Sequence, residues 1–282
     1  MKRIMKLVSC LMMVLMVSPI KVLAQETDTP GHHPFTALAD EAHMENPALR
    51  RAFEDYLYVV ENFHFGEFNG GIPESGASIE EVRSGLQSDQ EPELVEVYRN
   101  DETGQLEQYL VYQYQDEAIN PSTDQARGAE LVLFFSNDKL IMIAAASLDY
   151  FLDQAQLPRE AQLVDDGVVG SSYQDFVDRK YPAVAFGESQ MGGARLFQVL
   201  VPGVAVADEA DSEGVLNVYP HFFAQGQLIT VNGLSMAEAS LSFSETIMQF
   251  FAQYYLHFVN PELLEQLIPE IEQAESQEES SL

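Results

Sequence analysis

The chain has 282 residues and sets 45 acidic against 14 basic side chains, a formal net charge of −31 at neutral pH. Such a field repels nucleic acid and anionic membrane surfaces, which excludes both as expected partners, and it favours cationic ones. Apolar residues make up 46% and aromatic residues 10%, so the chain can bury a core and is not a disordered polyanion.

Lys2, Arg3 and Lys6 precede an apolar run from Leu7 to Ile20, and Val22-Leu23-Ala24 follows. A positive start, an apolar run and a small residue at the end predict a secretion signal over 1–24, cleaved after Ala24 to leave Gln25 first. The run is shorter than the ~20 residues that span a bilayer, and no later segment predicts a transmembrane helix. Cys10 is the chain's one cysteine and falls at the start of the apolar run. A lipid-attachment site would place it at the end, so Cys10 reads as part of the signal, and the mature chain as free of disulfides and thiols. Loss of four basic residues with the signal leaves 10 basic against 45 acidic residues, or −35.

Residues 25–45 read as a flexible leader. Its His32, His33, Asp40, Glu41 and His43 lack zinc-type spacing, so no metal site is expected. From Asn46, a cap followed by Pro47 opens a helix whose Leu49, Phe53, Tyr56, Leu57 and Val60 form one apolar stripe. Ser78 and Glu81 spell a capping box before a short helix near 76–86. Strands follow near 94–99, 106–115, 130–135 and 139–146, with turns at Asp101–Gly104 and Ser136–Asp138. Residues 46–150 are read as one α+β unit.

The pattern then repeats. Gly170-Ser171-Ser172-Tyr173 opens a second short helix, with Ser171 and Gln174 as its capping pair, and strands follow near 183–186, 194–201, 215–223 and 227–231. Phe134–Ile141 aligns with Phe222–Ile229 at an offset of 88, while the helices align at 94. Residues 151–235 are read as the second unit. Beyond it, Ile247, Phe250, Phe251, Tyr254 and Phe258 lie at helical spacing, and Asn260-Pro261 opens a shorter helix. Residues 236–270 are therefore read as C-terminal helices, and 271–282 as a disordered acidic tail.

Gly70-Gly71 through Ser78-Ile79-Glu80-Glu81-Val82, paired strands ending in Phe135 and Lys139-Leu140-Ile141, and the second opening Gly170–Val177 with Tyr181-Pro182 together resemble a known repeat. It is that of the beta-lactamase-inhibitory-protein-like superfamily of Gram-positive extracellular proteins and lipoproteins, matched over about 63–235. The resemblance implies an α+β fold of two tandem repeats, each with helices on one face of a four-stranded antiparallel sheet, the other faces forming a shared concave surface. It also implies protein binding. The namesake inhibitor carries disulfides and tryptophans; this chain has no tryptophan and no mature cysteine. Beta-lactamase inhibition is therefore not carried over.

Gly187-Glu188-Ser189-Gln190-Met191-Gly192-Gly193 approaches the nucleophile elbow Gly-x-Ser-x-Gly, but Met191 stands where the tight turn requires glycine. It reads as a glycine-rich hairpin. A serine hydrolase using Ser189 and His221 is the rival function, and a passive acidic envelope protein without a specific partner is a third. Strand alternation points elsewhere. Tyr109, Val111 and Gln113 share one face of their strand, and Asn217, Tyr219 and His221 share a face of theirs. Aromatic rings with polar tips suit a recognition surface. Tyr109, Gln113, Asn217, Tyr219 and His221 are thus the expected binding residues of a secreted, non-enzymatic protein without cofactor, whose partner is an extracellular protein or cell-envelope component.

Overall fold

The computed structural model describes residues 46–66, 75–100, 104–120, 125–147, 157–168, 170–191, 194–205, 215–224, 226–231 and 234–235, together with Thr36, Leu38 and Pro73. The signal, most of the leader, the C-terminal helices and the acidic tail expected from sequence lie outside these residues.

Helix α1 (Pro47–Asn62) begins as expected: the Asn46 side chain accepts from the Ala48 N–H at 2.9 Å, and Pro47 takes the first turn. The same asparagine donates to Gly128 O at 3.0 Å and Ser147 Oγ at 2.8 Å, tying the helix start to the sheet. Ala48, Leu49, Ala52, Phe53, Tyr56, Val59 and Val60 form the buried stripe. Phe63 turns into extended backbone and ends the helix, its N–H on Val59 O.

Helix α2 (Ile79–Gly85) precedes strands β1 (Glu93–Asn100), β2 (Gln105–Asn120), β3 (Gln125–Ser136) and β4 (Lys139–Ser147). Helices α3 (Glu160–Asp166) and α4 (Tyr173–Asp178) then lead into β5 (Ala185–Met191), β6 (Ala194–Ala205), β7 (Val215–Ala224), β8 (Gln227–Val231) and β9 (Leu234–Ser235). The fold is α+β. Its strands form one antiparallel sheet in the order β1 to β8, with β9 beside β7. The sheet is continuous across β4 and β5, where Ala144 faces Gly187, Ala145 faces Phe186 and Ala146 faces Ala185.

Two loop-and-helix arrangements dock on hairpins by the same backbone bond. Leu140 N–H donates to Ala77 O at 2.8 Å, and Leu228 N–H donates to Ser171 O at 2.9 Å. The glycine before each acceptor, Gly76 at φ 118° and Gly170 at φ 91°, takes the left-handed region that a side chain disfavours. Both following helices carry capping boxes: Ser78 with Glu81 as expected, and Ser172 with Asp175 in the second. The Ser171–Gln174 assignment is thus corrected by one residue. The Ser171 hydroxyl instead donates to Val168 O at 2.6 Å.

Two more differences concern the second half. The glycine-rich hairpin expected over 187–193 is the antiparallel β5–β6 pair, and its first strand runs further than expected, to Met191, which faces Ala194. Helix α3, unmarked in the sequence by a side-chain cap, holds one buried residue, Leu163.

Among the described residues, helices α1 to α4 pack on the same side of the sheet and share one core cluster. It includes Phe53 and Tyr56 of α1, Val82 of α2, Leu163 of α3 and Phe176 of α4. Phe53 stacks on Tyr56 at 5.4 Å between ring centroids and meets Phe186 at 4.6 Å. Among the described residues, no helix is long and apolar enough to cross a membrane.

Candidate recognition surface

Register decides which expected binding residues face outward. Leu110, Tyr112 and Tyr114 belong to the helix-side core, so Tyr109, Val111 and Gln113 point to the opposite, second face. There Val95, Tyr109 and Phe134 lie side by side across β1–β3, and Glu93, Val111 and Val132 form the next row. The Tyr109 ring packs edge-on against Phe134 at 4.4 Å. Burial, with a smaller push from Glu107, raises its hydroxyl pKa, so it stays a neutral donor. Gln113 is exposed and donates to Glu130 Oε1 at 3.2 Å. Burial raises the Glu130 carboxyl, the Gln113 bond opposes this, and Glu93 adds to it. Tyr109, Val111 and Val95 are half-buried, and Glu93 is exposed. This end of the second face is apolar at its centre and polar at its rim.

The other three expected residues lie on the opposite side. Asn217, Tyr219 and His221 register with Gly203, Val201 and Val199 of β6, on the helix-covered face. Tyr219 is 1% exposed and His221 is 2% exposed. The expected place of Tyr219 and His221 on an open surface is therefore corrected, while Asn217 is half-buried on the same face. Tyr219 fills space left by Gly203, where a Cβ would come within 2.8 Å of its ring and 2.6 Å of Leu163. Burial raises its hydroxyl pKa. Asn217 Nδ2 lies 3.5 Å from the Tyr219 hydroxyl.

His221 rests against Phe176 of α4 at 5.1 Å, and its Nδ1 lies 2.9 Å from Tyr219 O. A carbonyl only accepts, so this contact assigns the proton to Nδ1. Burial drives the imidazole pKa down to about 4, the carbonyl bond opposing and Arg179 adding to the fall. His221 is a neutral core residue at physiological pH.

The same geometry dismantles the Ser189–His221 pair. Ser189 faces Met142 and Leu196 on the second face, while His221 faces the helices, and β6 runs between their strands. The two side chains project from opposite sides of the sheet, about 10 Å apart in the strand-pairing direction alone. Ser189 is also 1% exposed and lies in extended strand, without the strained turn of an elbow.

One buried polar cluster escaped the sequence reading. Glu188, fully buried on the helix side, accepts from the Tyr56 hydroxyl at 3.1 Å and pairs with Arg195 Nε at 3.4 Å. Arg195 also donates to Val60 O at 3.3 Å, near the end of α1. The cluster fastens α1 to β5 and β6. The alternation of β5 could have flagged Glu188 as inward-facing, but its partner Tyr56 lies 132 residues away.

Among the described residues, no group of three or more His, Cys, Asp or Glu side chains could hold a metal ion. His32, His33, Asp40, Glu41 and His43 lie outside the described residues. No family model and no curated protein matches the chain. A solved structure described as a putative beta-lactamase inhibitor protein from Streptococcus mutans is similar at 12% identity and a TM-score of 0.34, covering 64% of this chain and 96% of that one.

Proposed function

We propose that the chain is a secreted, non-enzymatic binding protein that recognises an extracellular protein or cell-envelope component through the β1–β2 end of its sheet. The observation that carries the reading is the Val95–Tyr109–Val111 patch. It is partly exposed, centred on a tyrosine with a neutral hydroxyl, and rimmed by Gln113, Glu130 and Glu93. Aromatic anchors inside a polar rim are the usual energetic centre of protein interfaces. The acidic rim and the net charge of −31 favour a partner with a basic contact surface.

The reading includes two tandem repeats of the beta-lactamase-inhibitory-protein-like kind. Its support is the paired bonds from Leu140 to Ala77 and from Leu228 to Ser171, each behind a left-handed glycine and ahead of a capping box. Export through residues 1–24 belongs to the same reading. Mass spectrometry of the mature N-terminus tests it, with Gln25 the expected first residue.

Binding is tested by affinity capture from the culture medium and envelope of the source organism. Wild type is compared with Tyr109→Ser/Gln113→Arg and with Tyr58→Ser, a control on the exposed outer side of α1. The expected result is a partner retained by wild type and control and lost by the double variant. Equal retention by all three would place recognition elsewhere.

A further inference from the structure

The sheet has two edges, and the chain treats them differently. Along β8, Leu228 donates its N–H to Ser171 O at 2.9 Å and accepts from Gly170 N–H at 2.8 Å. Gly226 O, just before it, accepts from Tyr173 N–H at 2.8 Å. Residues 170–173 thus close that edge as a further strand does. β1 stands at the other end of the strand order, and among the described residues nothing pairs with its outer edge.

Register and one pair of bonds fix which backbone groups of β1 stand outward. Leu106 N–H donates to Asn137 Oδ1 at 2.7 Å, and Leu106 O accepts from Asn137 N–H at 2.7 Å. This residue therefore turns its backbone toward β3 and its turn. Direction alternates along an antiparallel strand, so Gln108 and Leu110 do the same, while Tyr109 and Val111 turn theirs to β1. Tyr109 faces Val95, and Val111 faces Glu93. Leu94 and Glu96 are left with N–H and C=O pointing away from the sheet. Beyond them, a bulge between Glu96 and Tyr98 ends the regular edge.

The side chains around this edge define what it takes. Leu94 is 45% exposed on the helix side, and Val95 is half-buried beside Tyr109 on the second face. A cavity of about 330 Å³ opens between Arg83, Leu86, Asp89, Glu91, Pro92 and Tyr112. It lies at the start of β1, since Tyr112 follows the residue that pairs with Glu93. Asp89, Glu91, Glu93 and Glu96 are all exposed, and Arg99 is held by Glu96 at 2.6 Å. A second copy pairing at β1 would bring two such acidic edges together on chains of net charge −31. A basic segment meets no such penalty.

We propose that β1 accepts an extended, lysine- or arginine-bearing segment of the partner as an added strand, bonded to the backbone of Leu94 and Glu96. The inference rests on the reading of the β1–β2 end as the recognition surface, and it names the form and charge of what binds there. Backbone bonds along an open edge supply affinity, and alternate side chains supply specificity. The added strand lies about 4.8 Å outside β1. Its residue opposite Leu94 projects to the helix side, and the next on that side, about 7 Å along, reaches the Asp89–Glu91 cavity. A cationic head group fits there, while the stem of its neighbour covers Leu94. The intervening residues project to the second face and extend the Val95–Tyr109 row.

A short amidated peptide alternating lysine with valine tests this by fluorescence anisotropy with the full chain. It is expected to bind with a Kd below about 1 mM. N-methylation of the lysine amides removes the donors aimed at β1 and is expected to weaken binding at least about tenfold. N-methylation of the valine amides, which face away, is expected to change it less than about threefold. On the protein, Leu94→Pro removes an outward N–H that β2 does not use, a change that an edge strand tolerates. It is expected to lose the peptide, whereas Leu94→Ala keeps the N–H and is expected to bind within about fivefold of wild type. The N-methyl series uses the wild-type chain, so it decides the matter even where the proline disturbs β1.

Several results overturn the proposal. Absence of binding by the unmodified peptide is one, and equal binding by all its methylated forms is another. Loss through the valine amides alone, or binding of a glutamate–valine peptide as tight as that of the lysine form, also contradicts it. Self-association of wild type that Leu94→Pro abolishes would assign the edge to a second copy. Capture of the natural partner separates this inference from the reading beneath it. Retention by Leu94→Pro with loss by Tyr109→Ser/Gln113→Arg removes the added strand and leaves the surface standing, while retention by both removes the surface.

Discussion

Replacing His221 with phenylalanine should remove most of one pH-dependent contribution to stability. The imidazole is buried, and its pKa falls from 6.5 to about 4 in the folded chain. A depressed histidine pKa means that the unfolded chain takes up the proton first. Stability from this group is therefore complete above pH 6.5 and lost as pH falls toward 4. Between pH 7.5 and pH 5.0, linkage with these two values gives a loss of about 2 kcal/mol. The acidic side chains respond in the same interval, so the quantity to read is the difference between variant and wild type.

His221→Phe keeps a ring against Phe176, and loses the bond to Tyr219 O, worth about 1 kcal/mol at either pH. Urea unfolding of both proteins at both pH values gives the four free energies required. Wild type should lose about 2 kcal/mol more than the variant on going to pH 5.0. Equal losses would mean that His221 is solvated or charged in the native chain, and the placement of β7 beneath α4 would be wrong.

Other substitutions test separate joints of the fold. Gly203→Ala puts a methyl against Leu163 and the Tyr219 ring and should cost about 2 kcal/mol in chemical unfolding. Ser78→Ala and Ser172→Ala each remove a capping box and should cost about 1 kcal/mol, a similar loss in the two halves. Tyr56→Phe withdraws a donor from buried Glu188 and should lower stability by about 2 kcal/mol, detectable as a reduced melting temperature. A fluorophosphonate probe should leave Ser189 unlabelled in the native protein, as peptide mass spectrometry would show; labelling would restore the hydrolase reading.

Much of the fold was legible because its signals are local. Pro47 behind a capping asparagine, the Asn137-Asp138 turn at φ 46° and 62°, and Gly226 at φ 72° act within a few residues. Period-two alternation placed the strands but not their outward side. On β7 both sets are apolar or aromatic, and polar tips made Asn217, Tyr219 and His221 look like the exposed one. The deciding contacts come from elsewhere in the chain: Phe176 of α4 against His221, and the gap at Gly203 that Tyr219 fills.

The second capping box shows a smaller version of this limit. Ser171 and Ser172 are both followed three residues later by a side chain able to close the box. Docking of Ser171 O on Leu228 N–H leaves Ser172 at the helix start. The Gly187–Gln190 stretch lies past the strand end expected near Phe186. It is strand because Tyr56 and Arg195 meet Glu188 and because Ala144 leaves room beside Gly187.

The most direct test of the recognition surface is hydroxyl-radical footprinting of the chain alone and with its captured partner. Partner binding should lower modification of Tyr109, Val111 and Gln113 while leaving Tyr58 on α1 unchanged. Protection confined to α1 and α2, with Tyr109 modified as in the free chain, would contradict the account.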